Sequence, residues 1–386
     1  MKEILKKFNN VFVYDLLYRL AFVAHNAMDN YFYRKSAKID PIKNYNDFVV
    51  LVKEMKAKGL APGKRFLGCE NLYYGHYHAL TEYANYVPKY KTIGMRIVHG
   101  VDFCETPLSV GGMHNTFFFI TQGNKSKLKD SKESAMQLDI GPFIHYASEI
   151  YDEEEENELK KEWGRTVLIY PTHTYEGSEI DAREKDRYKR MIDYYANWFD
   201  TVLFCVYWHD VSDEVFRDIS TIPKVKLVSC GLRSDEKFLS RTKTLMKVAD
   251  LVVGTHVGTF IGYAIYMNKQ IEYYELDENV CEHIEMTNRE AVTEKRNKEY
   301  IKNVLLKNED LKKIYNEYWG GEDKICTREE IAAALELRDE VIKDSLGFAN
   351  RFDKSIRDLR EKYKGVMDSK SQFKYSVLEG YNGEFF

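Results

Sequence analysis

The second half of the sequence repeats one pattern: a short apolar run, a polar or glycine-containing turn, and then apolar residues at helical spacing. Short apolar strands that alternate with helices predict a parallel sheet with helices on both faces. Ligands of such sheets bind beyond the carboxyl ends of the strands, so the turns that follow the strands are the first candidate sites. The predicted strands are Thr166–Tyr170, Thr201–Tyr207, Lys226–Cys230, Ala249–Gly254 and Gln270–Tyr274.

In the first half of the sequence, predicted strands and helices alternate less regularly. Helical spacing predicts helices in the first 45 residues, from Asp47 to Lys58 and from Tyr73 to Tyr83. Strands are predicted at Lys64–Glu70, Lys91–Gly100, Phe117–Thr121 and Leu138–Ala147. The stretch Tyr151–Trp163 begins with acidic residues and ends with lysines, which matches the helix dipole and predicts a linker helix. We expect a first domain at residues 1–160, a second at 161–325 and a helical tail at 326–386 that braces the two.

Charge and cysteine content narrow the class of protein. The chain has 57 Lys and Arg against 61 Asp and Glu, a net charge of -4, so it lacks the global basic field of a nucleic-acid-binding protein. The 6 cysteines are scattered without a CxxC pair, which indicates a reduced, cytoplasmic protein. The first 12 residues lack the apolar stretch of a signal peptide, and no window of the chain is apolar over the length of a membrane span, so secretion and membrane insertion are not expected.

The segment from Asp250 to Lys269 carries the most specific chemistry. It predicts a strand, a turn of small residues and a helix that begins near Gly258 and Thr259. Unpaired backbone N–H groups at such a helix start attract anions, and His256 and Thr259 add side-chain donors for a phosphate. A tight turn whose glycines only allow close packing is the alternative. Neither a GxGxxG nor a Walker A motif is present.

Several motifs between about Phe66 and Glu272 support a family resemblance. They are Cys69-Glu-Asn-Leu-Tyr-Tyr-Gly-His76, Val98-His-Gly100, Gly141-Pro-Phe-Ile-His-Tyr-Ala147, Tyr170-Pro-Thr-His173 and the segment Gly254–Lys269. Together they resemble glycosyltransferases of bacterial surface-polysaccharide loci. The last segment also resembles the donor-phosphate segment of B-type glycosyltransferases. The resemblance implies an α/β protein in which two Rossmann-like domains face a central cleft, with a helical C-terminal tail.

In this fold the first domain receives the acceptor, which gives its polar residues expected roles. His99 is the expected general base for an acceptor hydroxyl, and the His99-Gly100 pair resembles one in teichoic-acid glycerophosphate polymerases. Gly100 is expected to contact the acceptor, and Glu105 and Asp102 are the fallback bases. Tyr74 and His76 are expected to stack on an acceptor sugar. The alternatives are a core or loop-capping role for His99 and a core role for the Tyr74 cluster.

The second domain is expected to hold the donor. His173 is predicted to stabilise charge on the leaving phosphate, and Glu176 to accept hydrogen bonds from donor hydroxyl groups, although helix capping by Glu176 is also open. Further donor-binding residues follow neighbouring strands, where ordinary turns are the alternative, and Arg233 is the best phosphate ligand among them. These residues are Cys230, Gly231, Arg233, His256, Gly258 and Thr259.

The resemblance therefore implies a glycosyltransferase that uses a CMP-, UDP- or GDP-linked sugar and a glycan or lipid-linked acceptor in surface-polysaccharide synthesis. No cofactor is expected, and no metal, because no DxD-like pair ends a strand. A peripheral contact with the inner membrane through the lysine-rich first 12 residues is a further hypothesis. Three alternatives remain open: a nucleotide-sugar epimerase of the same fold, a CDP-polyol phosphotransferase and a non-catalytic glycan-binding partner.

Overall fold

The computed structural model describes about three fifths of the protein. It covers residues 32, 34–59, 69–90, 94–98, 107–108, 118–123, 127–128, 135–174, 180, 182–255, 258–274, 311–345 and 373–376. The predicted helices before residue 32 and the predicted strand residues 64–68 lie outside the described residues.

The described elements confirm an α/β protein. The helices are α1 (Tyr45–Ala57), α2 (His76–Ala84), α3 (Glu153–Trp163), α4 (Ala182–Ala196), α5 (Glu214–Ile219), α6 (Phe238–Val248), α7 (Phe260–Tyr266), α8 (Leu311–Tyr318) and α9 (Arg328–Ser345), with 3-10 turns at Cys69–Gly75, Phe143–Tyr146 and Glu322–Lys324. The strands are β1 (Met95–Ile97), β2 (Pro107–Leu108), β3 (Phe118–Thr121), β4 (Lys127–Leu128), β5 (Ala135–Asp139), β6 (Thr166–Tyr170), β7 (Thr201–Cys205), β8 (Val225–Val228), β9 (Leu251–Gly254), β10 (Gln270–Tyr273) and β11 (Phe373–Ser376).

The chain divides into two compact units whose composition differs from the expected domain boundaries. The first unit contains the described residues between 69 and 147 and those from 316 onwards. The second contains residues 32–59 and those from 148 to 315. Residues 32–59 therefore join the second unit, and the described residues of the tail group with the first.

The second unit is built on a five-stranded parallel sheet in the order β10-β9-β6-β7-β8. Counted along the chain from β6 and read from the β8 edge, this order is 3-2-1-4-5, which matches five of the six strands of a Rossmann-type sheet. Strand β6 lies at the centre, and its residues Val167, Leu168 and Ile169 have no exposed surface. A strand buried on both faces reads as a continuous apolar run, which explains why the sequence predicted this sheet well.

Helices cover both faces of this sheet. On one face α1, α4 and α5 share a core with alternate residues of β6, β7 and β9, among them Ile169, Phe204 and Val253. On the other face α6 packs against β6, and α3 packs against α6. Helix α1 contributes Phe48, Leu51, Val52 and Met55, whose spacing forms one apolar stripe.

The first unit contains a smaller sheet in the order β1-β3-β5-β11. Strands β1, β3 and β5 are parallel, whereas β11 pairs antiparallel with β5. The tail, which is expected to be helical, contains a strand at Phe373–Ser376, where the sequence alternates Phe373 and Tyr375 with polar residues. The predicted strand Leu138–Ala147 ends at Asp139, because Gly141 takes a φ of +72° and Pro142 lacks a backbone donor.

Buried polar contacts hold the tail within the first unit. Arg338 donates to the carbonyl oxygen of Tyr90 at 3.1 Å, and Asp339 accepts from the Tyr86 hydroxyl at 2.9 Å and from the Lys89 N–H at 2.6 Å. Both Arg338 and Asp339 are almost fully buried. Helix α9 is therefore an integral part of this unit. Within the described residues, no helix has both the length and the apolar character needed to cross a membrane.

Gly254, at the end of β9, provides a test of packing in the second unit. A Cβ atom at this position would lie 2.1 Å from the Phe260 ring. We expect Gly254→Ala to lower the free energy of unfolding by about 1–3 kcal/mol, measured by urea denaturation, because the ring must move. In a Phe260→Leu background the same substitution should cost much less. An equal cost in both backgrounds would show that the ring is not the cause.

Candidate functional site

The carboxyl edge of the five-stranded sheet has a switch point between β6 and β9, where the strand order reverses. Parallel α/β sheets bind ligands at such points, because the loops that follow the two strands leave in opposite directions. Here two threonines join the loops. The Thr172 N–H donates to Thr255 Oγ1 at 2.8 Å, and the two hydroxyl oxygens lie 3.0 Å apart. The loops after β6 and β9 are therefore fixed relative to each other.

Tyr188 on α4 supports the same loop from below. Its hydroxyl oxygen lies 3.0 Å from the carbonyl oxygen of Thr172 and 2.9 Å from the carboxylate of Glu184. Burial raises the pKa of Tyr188 well above its ordinary value, so the hydroxyl stays protonated and remains a donor. The loop is thus tied both to the neighbouring strand and to the helix beneath it.

The carboxylate of Asp210, in the loop after β7, organises the next part of the site. One oxygen accepts the Thr174 N–H at 3.0 Å, and the other accepts the Thr174 hydroxyl and lies 3.3 Å from His209 Nδ1. Asp210 is only 5% exposed. A buried carboxylate is stable only when donors surround it, and Thr174 supplies two of them. The loops that follow β6 and β7 are therefore locked together.

His173 and Tyr207 present a pair of stacked rings beside this carboxylate. The ring centroids are 4.4 Å apart with 28° between the planes. His173 Nδ1 lies 3.1 Å from the carbonyl oxygen of Thr174. Both side chains are half-buried, so a ligand at the switch point would meet an aromatic surface that carries a ring nitrogen.

A lysine from α1 fixes the end of the β7 loop. Lys56 Nζ donates to the carbonyl oxygen of His209 and to the hydroxyl of Ser212, the second at 3.1 Å. Desolvation lowers the pKa of Lys56, although the carboxylates of Asp210 and Asp213 act in the opposite direction. Helix α1, which the sequence placed in the first domain, therefore supports this site.

The predicted phosphate segment after β9 is described in part. Helix α7 begins at Phe260, with Thr259 as its N-cap residue, so the helix starts where the sequence predicted. It is only 7 residues long, which limits the field that its dipole adds. Gly258 and Thr259 are half-buried. The Phe260 ring stacks on Tyr170 with centroids 5.1 Å apart and occupies the space beside Gly254.

Cys230, Gly231 and Arg233 follow β8, the edge strand, rather than a strand at the switch point. Two strand spacings separate β8 from β6, about 10 Å. The space beside Gly231 is filled by Arg241 and Asp235, which form an ion pair at 2.9 Å, and Gly231 has a φ of +97°. Packing and backbone conformation thus account for Gly231, and Arg233 is half-buried in the same loop.

Two buried thiols lie beneath these loops. Cys205 is the last residue of β7 and Cys230 follows the neighbouring strand β8; their sulfur atoms are 3.8 Å apart, and the Thr242 hydroxyl donates to Cys230 Sγ at 3.3 Å. The hydrogen bond to Cys230, together with burial, raises the pKa of the Cys205 thiol. Cys230 is 3% exposed, so its contacts lie within the protein.

In the first unit, the expected acceptor-binding residues occupy different environments. His76 is 2% exposed and stacks on Phe143 at 4.3 Å, which favours the core role stated as its alternative. Tyr74 is half-buried and has a φ of 59°. Asn71, which the sequence analysis did not single out, binds the backbone of β1. Its side chain donates to the Met95 carbonyl oxygen at 2.8 Å and accepts the Ile97 N–H at 2.6 Å.

The remaining predicted site residues are not part of the described structure. They are His99, Gly100, Asp102, Glu105, Glu176 and His256.

The described site includes side chains that sequence reasoning missed, namely Thr172, Thr174, Thr255, His209 and Asp210. One signal in the sequence points to them. The tetrapeptides Pro171-Thr-His-Thr174 and Tyr207-Trp-His-Asp210 follow two apolar runs, and the second contains a carboxylate that can accept from hydroxyl groups of the first. Only the pairing of β6 with β7 shows that the two tetrapeptides are neighbours.

No protein-family model, curated protein or solved structure matches this chain. The arguments for its function therefore come from the fold and from the geometry of the site. Among the residues that the structure describes, no three His, Cys, Asp or Glu side chains are grouped to hold a metal ion.

The ion pair between Asp235 and Arg241 tests whether the loop after β8 is built for stability. Both side chains are less than 5% exposed. We expect Asp235→Ala to lower the free energy of unfolding by about 3–5 kcal/mol, because it leaves the Arg241 charge buried without its partner. Chemical denaturation measures the change.

The matched control is Asp218→Ala, which removes an exposed ion pair with Lys185. It should leave the free energy of unfolding nearly unchanged, since solvent screens such pairs. Similar losses for the two variants would contradict a special role for the buried pair.

Proposed function

We propose that the protein is a glycosyltransferase that binds a nucleotide-sugar donor at the switch point of the second unit. The observation that carries the proposal is the fixed arrangement of Thr172, His173 and Thr255 at the carboxyl ends of β6 and β9, in a parallel sheet of 3-2-1-4-5 order. Mononucleotide-binding units place their ligand at this point of the sheet. The motif resemblance to surface-polysaccharide glycosyltransferases supports the choice of reaction.

The chemistry requires a group that stabilises negative charge on the donor phosphate. In the proposed reaction an acceptor hydroxyl oxygen attacks the anomeric carbon, and the carbon–oxygen bond to the phosphate breaks with its electron pair moving to the phosphate oxygen. The threonine hydroxyl groups at the switch point are donors, and His173 adds a donor when its ring is protonated on both nitrogens, because Nδ1 faces the carbonyl oxygen of Thr174. The proton of the acceptor hydroxyl passes to His99, which remains the proposed base on the strength of the resemblance.

The proposal includes the nature of the partners. The donor is a CMP-, UDP- or GDP-linked sugar, and the acceptor is a glycan or a lipid-linked glycan that binds the first unit. Pairing of two Rossmann-like units in the B-type manner and catalysis without a metal are parts of the same proposal. So are a role in capsule or O-antigen synthesis and a cytoplasmic location with peripheral contact to the inner membrane.

A nucleotide panel tests the donor site directly. We expect at least one of CMP, CDP, UDP and GDP to raise the melting temperature of the protein, because a ligand that binds only the folded state stabilises it. A saturating concentration of about 100 times Kd corresponds to about 2.7 kcal/mol. If the folded protein shows no shift with any of the four, the donor site is refuted.

His173→Phe tests the role of the ring nitrogens. Phenylalanine preserves the stack on Tyr207 but cannot donate to a phosphate, so we expect similar thermal stability and about tenfold weaker binding of the nucleotide identified by the panel. Isothermal titration calorimetry measures the change.

The matched control for that variant is Tyr207→Phe, which keeps both rings and should bind the nucleotide as the wild type does. Unchanged affinity in His173→Phe would remove His173 from the donor site.

A further inference from the structure

His209, beside the switch point, is held by one of its two ring nitrogens. Nδ1 lies 3.1 Å from Thr174 Oγ1 and 3.3 Å from Asp210 Oδ1. The ring meets Trp208 edge-on, with centroids 5.4 Å apart. About a fifth of the side chain is exposed. The imidazole is therefore oriented by the protein while part of it remains within reach of a ligand.

The hydrogen bonds around Nδ1 determine which nitrogen carries the proton. A threonine hydroxyl has one proton, and Thr174 donates it to Asp210 Oδ1. The other Asp210 oxygen accepts the Thr174 N–H, so both carboxylate oxygens act as acceptors. Neither neighbour can donate to Nδ1, and Nδ1 must itself be the donor. In the neutral ring, Nε2 then has a lone pair and no proton.

Nε2 has no such partner within the described part of the chain, where the side chain of His209 makes its hydrogen bonds through Nδ1 alone. The backbone of the loop is also fixed. The Asp210 N–H donates to the Tyr207 carbonyl oxygen at 2.9 Å, and Lys56 donates to the His209 carbonyl oxygen. The protein thus presents a rigidly oriented acceptor nitrogen beside the proposed donor site.

We propose that His209 Nε2 accepts a hydrogen bond from a hydroxyl group of the bound nucleotide sugar, with Asp210 and Thr174 as positioning residues. The inference rests on the proposed function, since it adds a contact to the same site. A phosphate oxygen has no proton to give to a bare nitrogen, whereas a sugar hydroxyl does. The hydroxyl belongs either to the ribose or to the transferred sugar, and both offer the same chemistry.

This contact makes the site selective for polyhydroxylated ligands. A site built to accept a hydrogen bond from a substrate hydroxyl discriminates against the analogue that lacks it, because the acceptor is then left unpaired in a partly desolvated position. Since His209 is partly exposed, we expect a discrimination of about tenfold rather than the larger factors of fully buried sites.

Two substitutions separate the nitrogens. In His209→Asn the amide nitrogen stands near the position of Nδ1 and can still donate to Thr174 and Asp210, but nothing replaces Nε2. In His209→Gln the amide group reaches the position of Nε2, and its oxygen can still accept. Affinities are measured by isothermal titration calorimetry for UDP and GDP, for their 2′,3′-dideoxy analogues, and for UDP-glucose and GDP-mannose.

If ribose is the partner, the wild type should bind UDP or GDP about tenfold more tightly than the dideoxy analogue, and His209→Asn should abolish this preference. If the transferred sugar is the partner, His209→Asn should weaken only the sugar-linked nucleotides. In both cases His209→Gln should retain most of the affinity. Wild-type affinity of His209→Asn for every probe would overturn the inference and leave the proposed function standing, whereas no binding of any probe, or of CMP and CDP, by the folded wild type would overturn both.

The proton assignment has its own test without a ligand. Nitrogen NMR of ¹⁵N-histidine-labelled protein, with the His209 signals identified by their loss in His209→Asn, should show the neutral ring protonated at Nδ1. Protonation at Nε2 would overturn the inference, because that nitrogen would then be a donor. In Asp210→Asn the amide can donate to Nδ1, so the preference for Nδ1–H should decrease.

Discussion

The position of β6 determines the arrangement of the second unit. This strand is hydrogen-bonded to β7 on one side and to β9 on the other, so the loops that follow all three strands start within two strand spacings of each other. The strand order reverses at β6, and the following connections therefore leave toward opposite sides. The backbone hydrogen bonds that join β6 to β7 and β9 bring the polar residues of the candidate site close together.

Beyond the ends of the strands, side chains supply the hydrogen-bond acceptors that neighbouring strands supply within the sheet. Backbone N–H groups in loops still need acceptors, and here they receive them from Thr255 and Asp210. The first unit uses the same device at β1, where the Asn71 amide both donates to and accepts from the backbone. Loops held in this way lose little freedom when a ligand binds, which lowers the cost of ordering the site.

The sequence predicted most strands and helices of the second unit, but fewer of the side chains that form its candidate site. Apolar runs and helical spacing encode strands and helices directly, so β6, β7, β9 and α3 lie close to their predicted positions. The stripe of Phe48 and Leu51 shows that α1 buries one face, but it does not show which sheet it covers. Strand order is likewise absent from local patterns. Sequence analysis therefore assigned Cys230 and Arg233 to the donor-binding site together with His173, although the strand that precedes them, β8, lies at the edge of the sheet.

Phe260 decides from which side the switch point can be approached. In many nucleotide-binding loops a glycine leaves room for a phosphate to lie directly against the backbone. At Gly254 the protein's own aromatic ring takes that room. A ligand at this edge would therefore be displaced sideways, toward the loops that follow β6 and β7, where it would meet hydroxyl groups and imidazole rings instead of bare peptide. Recognition of such a ligand would depend on side-chain identity, so exchange of a few residues in those two loops would change the ligand while the sheet stays the same.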